Sequence, residues 1–270
     1  MSDREIDVSF FNIHGKFRGR FTKSHSKNIT YRIKQFELLK DNFTQIFFVK
    51  KLVKLKIENS IKTLNKLDSL QEILKQFSIK ELNEKIELIN NKNTINAIRG
   101  IEGISARIYF KAFKNCIYNN NDFIKRIKHP PVGRVNSLLS LGYTFLMNEM
   151  RGYIEAFGLD PFIGIFHQVK YGKTALVYDL MEEFRSVVVD DLIVDISNNN
   201  LITYEDYYSD DIKLNEIGIK KFITLWEKKV GKLGKGKNIV EIPLFRNCFK
   251  NRIQEYMKFL ENNKYNPFDK

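Results

Sequence analysis

Three carboxylates crowd one helical turn in the stretch GIFHQVKYGKTALVYDLMEEFR, residues 164–185: Asp179, Glu182 and Glu183. In a helix covering about 174–189, at 100° per residue, they fall within about 100° of one another. Leu180, Met181, Phe184 and Val187 take the other side. Like charges three and four apart destabilise a helix by about 0.2–0.5 kcal/mol per pair, and Arg185 is the only base close enough to offset them. The cluster is therefore either the solvated face of an amphipathic helix or a site for a divalent cation, which would remove the repulsion.

Two more residues carry chemistry. His167 sits in the apolar run PFIGIFHQV. Alone it reads as a structural histidine; joined by carboxylate oxygens it makes a set suited to magnesium or manganese, the imidazole pulling toward the transition metal. Glu102 lies in RGIEGISARIYFKAF between Gly100 and Gly103. Glycines there would let another backbone or a ligand come close, at a helix cost of ~1 kcal/mol each. The plainer reading has Glu102 complementing the helix dipole or pairing with Arg99 or Arg107.

The elements that must position these residues read as mainly α. Helical periodicity predicts helices at about 31–41, 43–67, 69–77, 79–91, 94–118, 135–157, 173–195, 213–230 and 245–262. Before them, IDVSFFNIHGKFRGRF reads as a β-hairpin over about 6–21 turning at His14-Gly15. A lone hairpin is marginal in water, so it must pack on the helical body or a second chain, or belong to a larger sheet. The expected organisation is a short β region, 1–24, and a large helical catalytic domain, 25–270. Residues 119–134 form a long connection and 229–238, KVGKLGKGKN, a Gly/Lys linker.

Composition excludes several classes. With 43% hydrophobic residues, 22 Phe and 12 Tyr, the chain can bury a core and is not a disordered polyelectrolyte. Only Cys116 and Cys248 occur, without a CxxC pair, and MSDREIDVSFF is too charged for a secretory signal. The longest uncharged run, 135–148, falls short of the roughly 18–20 apolar residues that span a bilayer. An intracellular protein without a membrane segment is expected. Its 45 Lys and Arg against 32 Asp and Glu give a net charge of +13, which draws polyanions such as DNA or RNA. The abundance of Lys, Asn and Ile is also what an AT-rich genome produces, so charge alone leaves the partner open.

Taken in order, IEGISARIYF, NSLLSLGYTFLMNEM and AFGLDPFIGIFHQVKYGKTALVYDLMEEFR resemble CRISPR-associated protein 1, the DNA integrase of CRISPR adaptation. VSFFNIHGKFRGRF is similar to the last strands of that family's N-terminal β-domain, and YRIKQFELL with KLVKLKIENSIKTL to its first helices. The family's motifs EG…YF, GLxPxxGxxH and DLxExxR fall on Glu102, His167 and Glu182, which the resemblance implies are the catalytic metal ligands for Mg2+ or Mn2+. Asp179 matches the first acid of the last motif and would support a ligand or add one; Glu183 has no assignment and is expected as a surface carboxylate. Gly133 departs from the acidic residue common before the Asn matched by Asn136.

The implied reaction is transesterification, in which the 3′-hydroxyl of a short DNA fragment, the spacer, attacks a phosphodiester at the edge of a CRISPR repeat. Arg126, Lys128, Arg134, Lys170, Lys173, Lys235 and Lys237 are the expected DNA contacts. Integration at both fragment ends needs two active sites, so at least a homodimer is expected, and a tetramer of two dimers on DNA. The family commonly has on the order of 60 or more residues before the point where this chain begins, including strands that contact CRISPR-associated protein 2. The start MSDREID favours a compact form over a truncated one, and with it a homo-oligomer acting without that partner. The resemblance implies a prokaryotic, cytoplasmic setting. Two alternatives stay open: a metal-dependent nuclease that cuts branched or single-stranded DNA, and a non-catalytic DNA-bridging protein.

Overall fold

The computed structural model describes residues 8–11, 17–21, 29–118, 123–128, 130–208, 212–231 and 245–262. It is mainly helical. Two short antiparallel strands, β1 (Val8–Phe11) and β2 (Phe17–Phe21), pair Val8 with Phe21 and Phe10 with Gly19, and the register shifts between Phe10 and Phe11. The His14-Gly15 turn lies outside the described residues.

Helices follow: α1 (Ile29–Leu38), α2 (Asn42–Lys66), α3 (Glu72–Asn90), α4 (Ile95–Phe113), α5 (Arg134–Ala156), α6 (Ala175–Met181), α7 (Asp191–Asn198), α8 (Glu216–Val230) and α9 (Phe245–Asn262). A π-helix, Arg185–Asp190, runs into α7. The chain divides into two compact units that interleave along the sequence. One unit holds Met1–Gln45, Thr144–Met181 and Phe249–Lys270, the other Ile46–Tyr143 and Glu182–Cys248.

In the second unit, α2 buries Val49, Leu52, Val53, Ile57 and Leu64, a helical stripe that fixes which side of α2 turns outward. α3 packs on α4, whose start is capped by the Thr94 hydroxyl accepting from the Ala97 amide at 3.2 Å. The expected break between 69–77 and 79–91 is absent: α3 is continuous, and the Ser78 hydroxyl donates back to the Leu74 carbonyl at 2.9 Å, so this polar residue is satisfied inside the helix. Asp191 joins α7 to α2 and α8 by accepting from Lys66 at 2.7 Å and from Lys229. Burial opposes its charge, but the two ammonium partners hold its carboxyl below the usual range.

In the first unit, Gln35 on α1 clasps Asp160 by both ends: its Nε2 donates to the Asp160 carbonyl at 3.1 Å and its Oε1 accepts the Asp160 amide at 2.9 Å. Arg32 donates to the Gly158 carbonyl at 3.3 Å, in a turn where Gly158 takes φ +81°, a conformation that favours glycine. At Gly164 a Cβ would come within 2.6 Å of the Ala175 backbone, so α6 starts against bare main chain.

The expected helix 173–195 is interrupted. α6 stops at Met181, residues 182–183 form a turn, and the π-helix follows. Asp179, Glu182 and Glu183 are all buried, so their face is not solvated, and Glu183 is not a surface carboxylate: its carbonyl accepts from the Asn59 amide at 2.9 Å. The expected helix 94–118 ends at Phe113 in a short 3-10 turn, Lys114–Cys116. The linker residues 232–244 lie outside the described residues.

Candidate metal and nucleic-acid site

Within the second unit two of the implied ligands meet. Glu102 projects from the third turn of α4 and Glu182 follows the end of α6. The Lys56 ammonium of α2 contacts both, pairing with Glu102 Oε1 and standing 2.7 Å from Glu182 Oε2. Arg99 bonds Asn96 at 2.6 Å. Burial pulls the Lys56 ammonium toward neutrality, yet the Glu182 and Glu102 carboxylates outweigh it and raise the group above an ordinary lysine. Arg185 completes the cage, its Nε 3.1 Å from Glu182 Oε1. A Cβ on Gly100 or Gly103 would meet open space, so no neighbouring backbone requires either glycine.

Behind Arg185 lies a fully buried carboxylate. The Asp190 oxygens accept from the Tyr143 hydroxyl at 2.5 Å and the Tyr109 hydroxyl at 2.9 Å. Burial pushes its carboxyl up to about 6, against the pull of these two donors and of Arg126 and Arg185. The Arg185 guanidinium lies over the Tyr143 ring, 4.8 Å from its centroid. Asp190, Tyr143, Arg185, Glu182, Lys56 and Glu102 thus form one continuous polar chain, and the π-helix sets its geometry by carrying Arg185 and Asp190 at its two ends.

In the first unit the other two acid-base residues meet. Asp179, wholly buried on α6, accepts the amides of Ile165 at 2.6 Å, Phe166 at 3.0 Å and His167 at 2.8 Å, and its Oδ1 lies 2.8 Å from His167 Nδ1. Oδ1 also accepts the His167 amide, so it faces Nδ1 as an acceptor and places a ring proton on that nitrogen. This is the orientation a carboxylate imposes on a metal-binding histidine. The side chain keeps 24% exposure.

The basic residues separate by environment. Arg126 is turned inward, donating to Asn136 Oδ1 at 3.0 Å, the Ile127 carbonyl at 2.6 Å and Ser140 Oγ at 3.1 Å. Arg134 lies 3.3 Å from the Tyr204 ring centroid. Lys128 reaches solvent, and partial burial together with Arg185 lowers its ammonium below the usual value. Lys170 and Lys173 close a four-residue turn, where Gly172 has φ +71° and Tyr171 is entirely in solvent. Lys235 and Lys237 lie outside the described residues. Among the described residues no group of three or more His, Cys, Asp or Glu side chains is gathered as a metal cage. The structure brings together Glu102 with Glu182, and His167 with Asp179.

Each pair suits a divalent cation. Glu102 and Glu182 already converge on one positive charge, and His167 offers a ring oriented by Asp179. The sequence profile described as CRISPR associated protein Cas1 matches residues 1–228. The chain belongs to the Cas1 family. A CRISPR-associated endonuclease Cas1 from Thermus thermophilus is 30% identical over 227 residues, which make up 83% of this chain and 66% of that relative. The chain thus spans about two thirds of that Cas1 protein's length. In fold it is similar to a casposase solved bound to its integration product, with a TM-score of 0.80, 19% identity and coverage of 99% of this chain and 75% of the other. It is also similar to a chain of a Cas6-RT-Cas1–Cas2 complex, with a TM-score of 0.82, 22% identity and coverage of 98% and 29%.

Lys56 and the Asp190 cluster escaped the sequence reading. Lys56 sits one turn before Asn59 on a helix face shared with buried residues, a placement that marks an inward-facing lysine once the apolar stripe of α2 is drawn. Nothing local distinguishes Asp190 from Asp191.

Proposed function

We propose that this protein is a metal-dependent DNA integrase of CRISPR adaptation, acting in the prokaryotic cytoplasm. The convergence of Glu102 and Glu182 on one buried cation, in a chain of the Cas1 family, is the observation that carries this reading. Relatives carry the name endonuclease, and a casposase of the same fold is known on its integration product. The paired strands β1 and β2 are read as belonging to the family's N-terminal β-domain.

Glu102, Glu182 and His167 would hold magnesium or manganese. When bound, such an ion supplies Lewis acidity to a phosphoryl oxygen and lowers the pKa of the attacking hydroxyl. The protein's own residues do the rest. Asp179 keeps the His167 proton on Nδ1 so that Nε2 stays a donor of electrons. Lys128, Lys170 and Lys173 meet backbone phosphates, which position DNA without reading sequence. The 3′-hydroxyl oxygen of the inserted fragment bonds to phosphorus as the P–O bond to the 3′-oxygen of the DNA flanking the repeat breaks, and the attacking hydroxyl's proton is lost to solvent while the departing 3′-oxygen gains one. No side chain becomes covalently attached. Two such sites are needed for two fragment ends, so a homodimer or larger assembly is part of the reading, with CRISPR-associated protein 2 as a further partner to test.

The purified chain, incubated with short duplexes bearing 3′-hydroxyl ends, a plasmid carrying a CRISPR repeat, and Mg2+ or Mn2+, is expected to give junctions at repeat borders by sequencing. Glu182→Gln should cut joining by more than about 100-fold while leaving DNA binding in place. Cleavage without joining would favour the nuclease reading; binding without metal-dependent chemistry would favour a bridging protein.

A further inference from the structure

The carboxylate pair is already neutralised from within. Lys56 touches both Glu102 and Glu182, and Arg185 touches Glu182, so two cations face two carboxylates. A divalent ion entering this place must displace an ammonium that is largely buried, its side chain only 19% exposed, and that cannot simply swing into solvent. A phosphate oxygen would give that ammonium a new partner.

Resting on the integrase reading, we propose that Lys56 is the resident counter-ion of the metal site: it holds Glu102 and Glu182 together in the metal-free protein and releases them to a divalent cation when a DNA phosphate takes over its ammonium. Lys56 is a positioning residue in this account, and it links two binding events. Metal-free, DNA-free protein keeps its acids paired and carries no cation poised for stray hydrolysis. With DNA in place, the phosphate offsets the charge that the incoming metal adds. Neither carboxylate need be exposed alone at any stage, which matters because a buried charge that loses its partner is strongly destabilising.

The geometry also explains why a lysine stands here. Its single ammonium reaches two carboxylates at once and has three donor hydrogens to move between partners, whereas the fork of an arginine would lock onto one carboxylate in a bidentate pair. Asn59, one turn further along α2, fixes the Glu183 carbonyl, so the Lys56 stem and the backbone beside Glu182 are anchored to the same helix.

The test is the affinity for Mn2+, read from the electron paramagnetic resonance signal of the free ion, with and without a short duplex that lacks a repeat. Wild-type protein is expected to bind Mn2+ about tenfold or more tightly once the duplex is added. Lys56→Met should bind Mn2+ about tenfold more tightly than wild type without DNA, an effect of the size that neighbours of a metal site exert, and should gain little more from the duplex. Equal or weaker binding by Lys56→Met, or equal gains from DNA in both proteins, overturns the inference while leaving the integrase reading intact. Absence of Mn2+ binding in both proteins, with and without DNA, overturns the metal-site reading as well. Should Lys56→Met lose its cooperative melt, the 15N-detected ammonium resonance of Lys56 in wild type decides: a shift on adding duplex and saturating Mg2+ supports the release, and a resonance unmoved by both overturns it.

Discussion

Asp190 is a carboxylate buried among two tyrosines. Its carboxyl is pushed up to about 6 by burial, so the native state holds a proton that the unfolded chain releases near pH 4. The stabilising contribution of that proton is full below the unfolded value and is lost as pH rises through about 6. Asp190→Asn keeps an acceptor and a donor for the two tyrosines and has no charge to bury. The melting temperature of the variant minus that of wild type is therefore expected to rise between pH 4 and pH 7, most of it below pH 6, by an amount equivalent to about 2–3 kcal/mol at most. A difference flat with pH would mean that Asp190 titrates normally. His167, Glu102 and Glu182 could be picked out from the sequence because their motifs match a family's pattern. Lys56 and Asp190 could not, because what makes them matter is a partner far along the chain: Lys56 with Glu102 and Glu182, Asp190 with Tyr109.

At the scale of elements, the long amphipathic helices were legible to within a few residues. α2, α5, α8 and α9 have apolar stripes that announce themselves. The errors fall where tertiary structure overrides local pattern. Ser78 looks like a break but bonds its own helix, and 173–195 looks like one helix because nothing in its composition marks a turn at 182–183 or a widened coil after it. The two glycines that sequence singled out and one it passed over show the same contrast. Gly164→Ala places a methyl against the Ala175 backbone and should cost about 1–3 kcal/mol, seen as a lower melting temperature. Gly100→Ala meets open space inside a helix and should stabilise by up to about 1 kcal/mol in the same measurement. Destabilisation by both would mean that Gly100 faces something beyond this chain.

For the molecule as a whole, the proposed DNA binding should show itself through charge. No helix among the described residues is long and apolar enough to cross a membrane, and the excess of 45 bases over 32 acids is spread along the chain. If six phosphates are engaged, the affinity for duplex DNA should fall roughly a thousandfold or more between 50 and 200 mM salt; light scattering on the same complex should give at least two protein copies per DNA. A shallow salt slope or a single copy would count against the integrase reading at this scale. Composition alone left nucleic acid undecided, since the same lysine excess follows from base composition.

The π-helix at Arg185–Asp190 constrains length as well as residue type. It holds one residue more per turn than an α-helix needs, and Glu182 lies just before it while Asp190 and Asp191 end it. Adding a further residue there would turn everything that follows by about 100° against everything that precedes. Asp190 would leave Tyr109 and Tyr143, and Asp191 would leave Lys66 and Lys229, in one step. Substitutions can be absorbed along this stretch one side chain at a time; an insertion cannot.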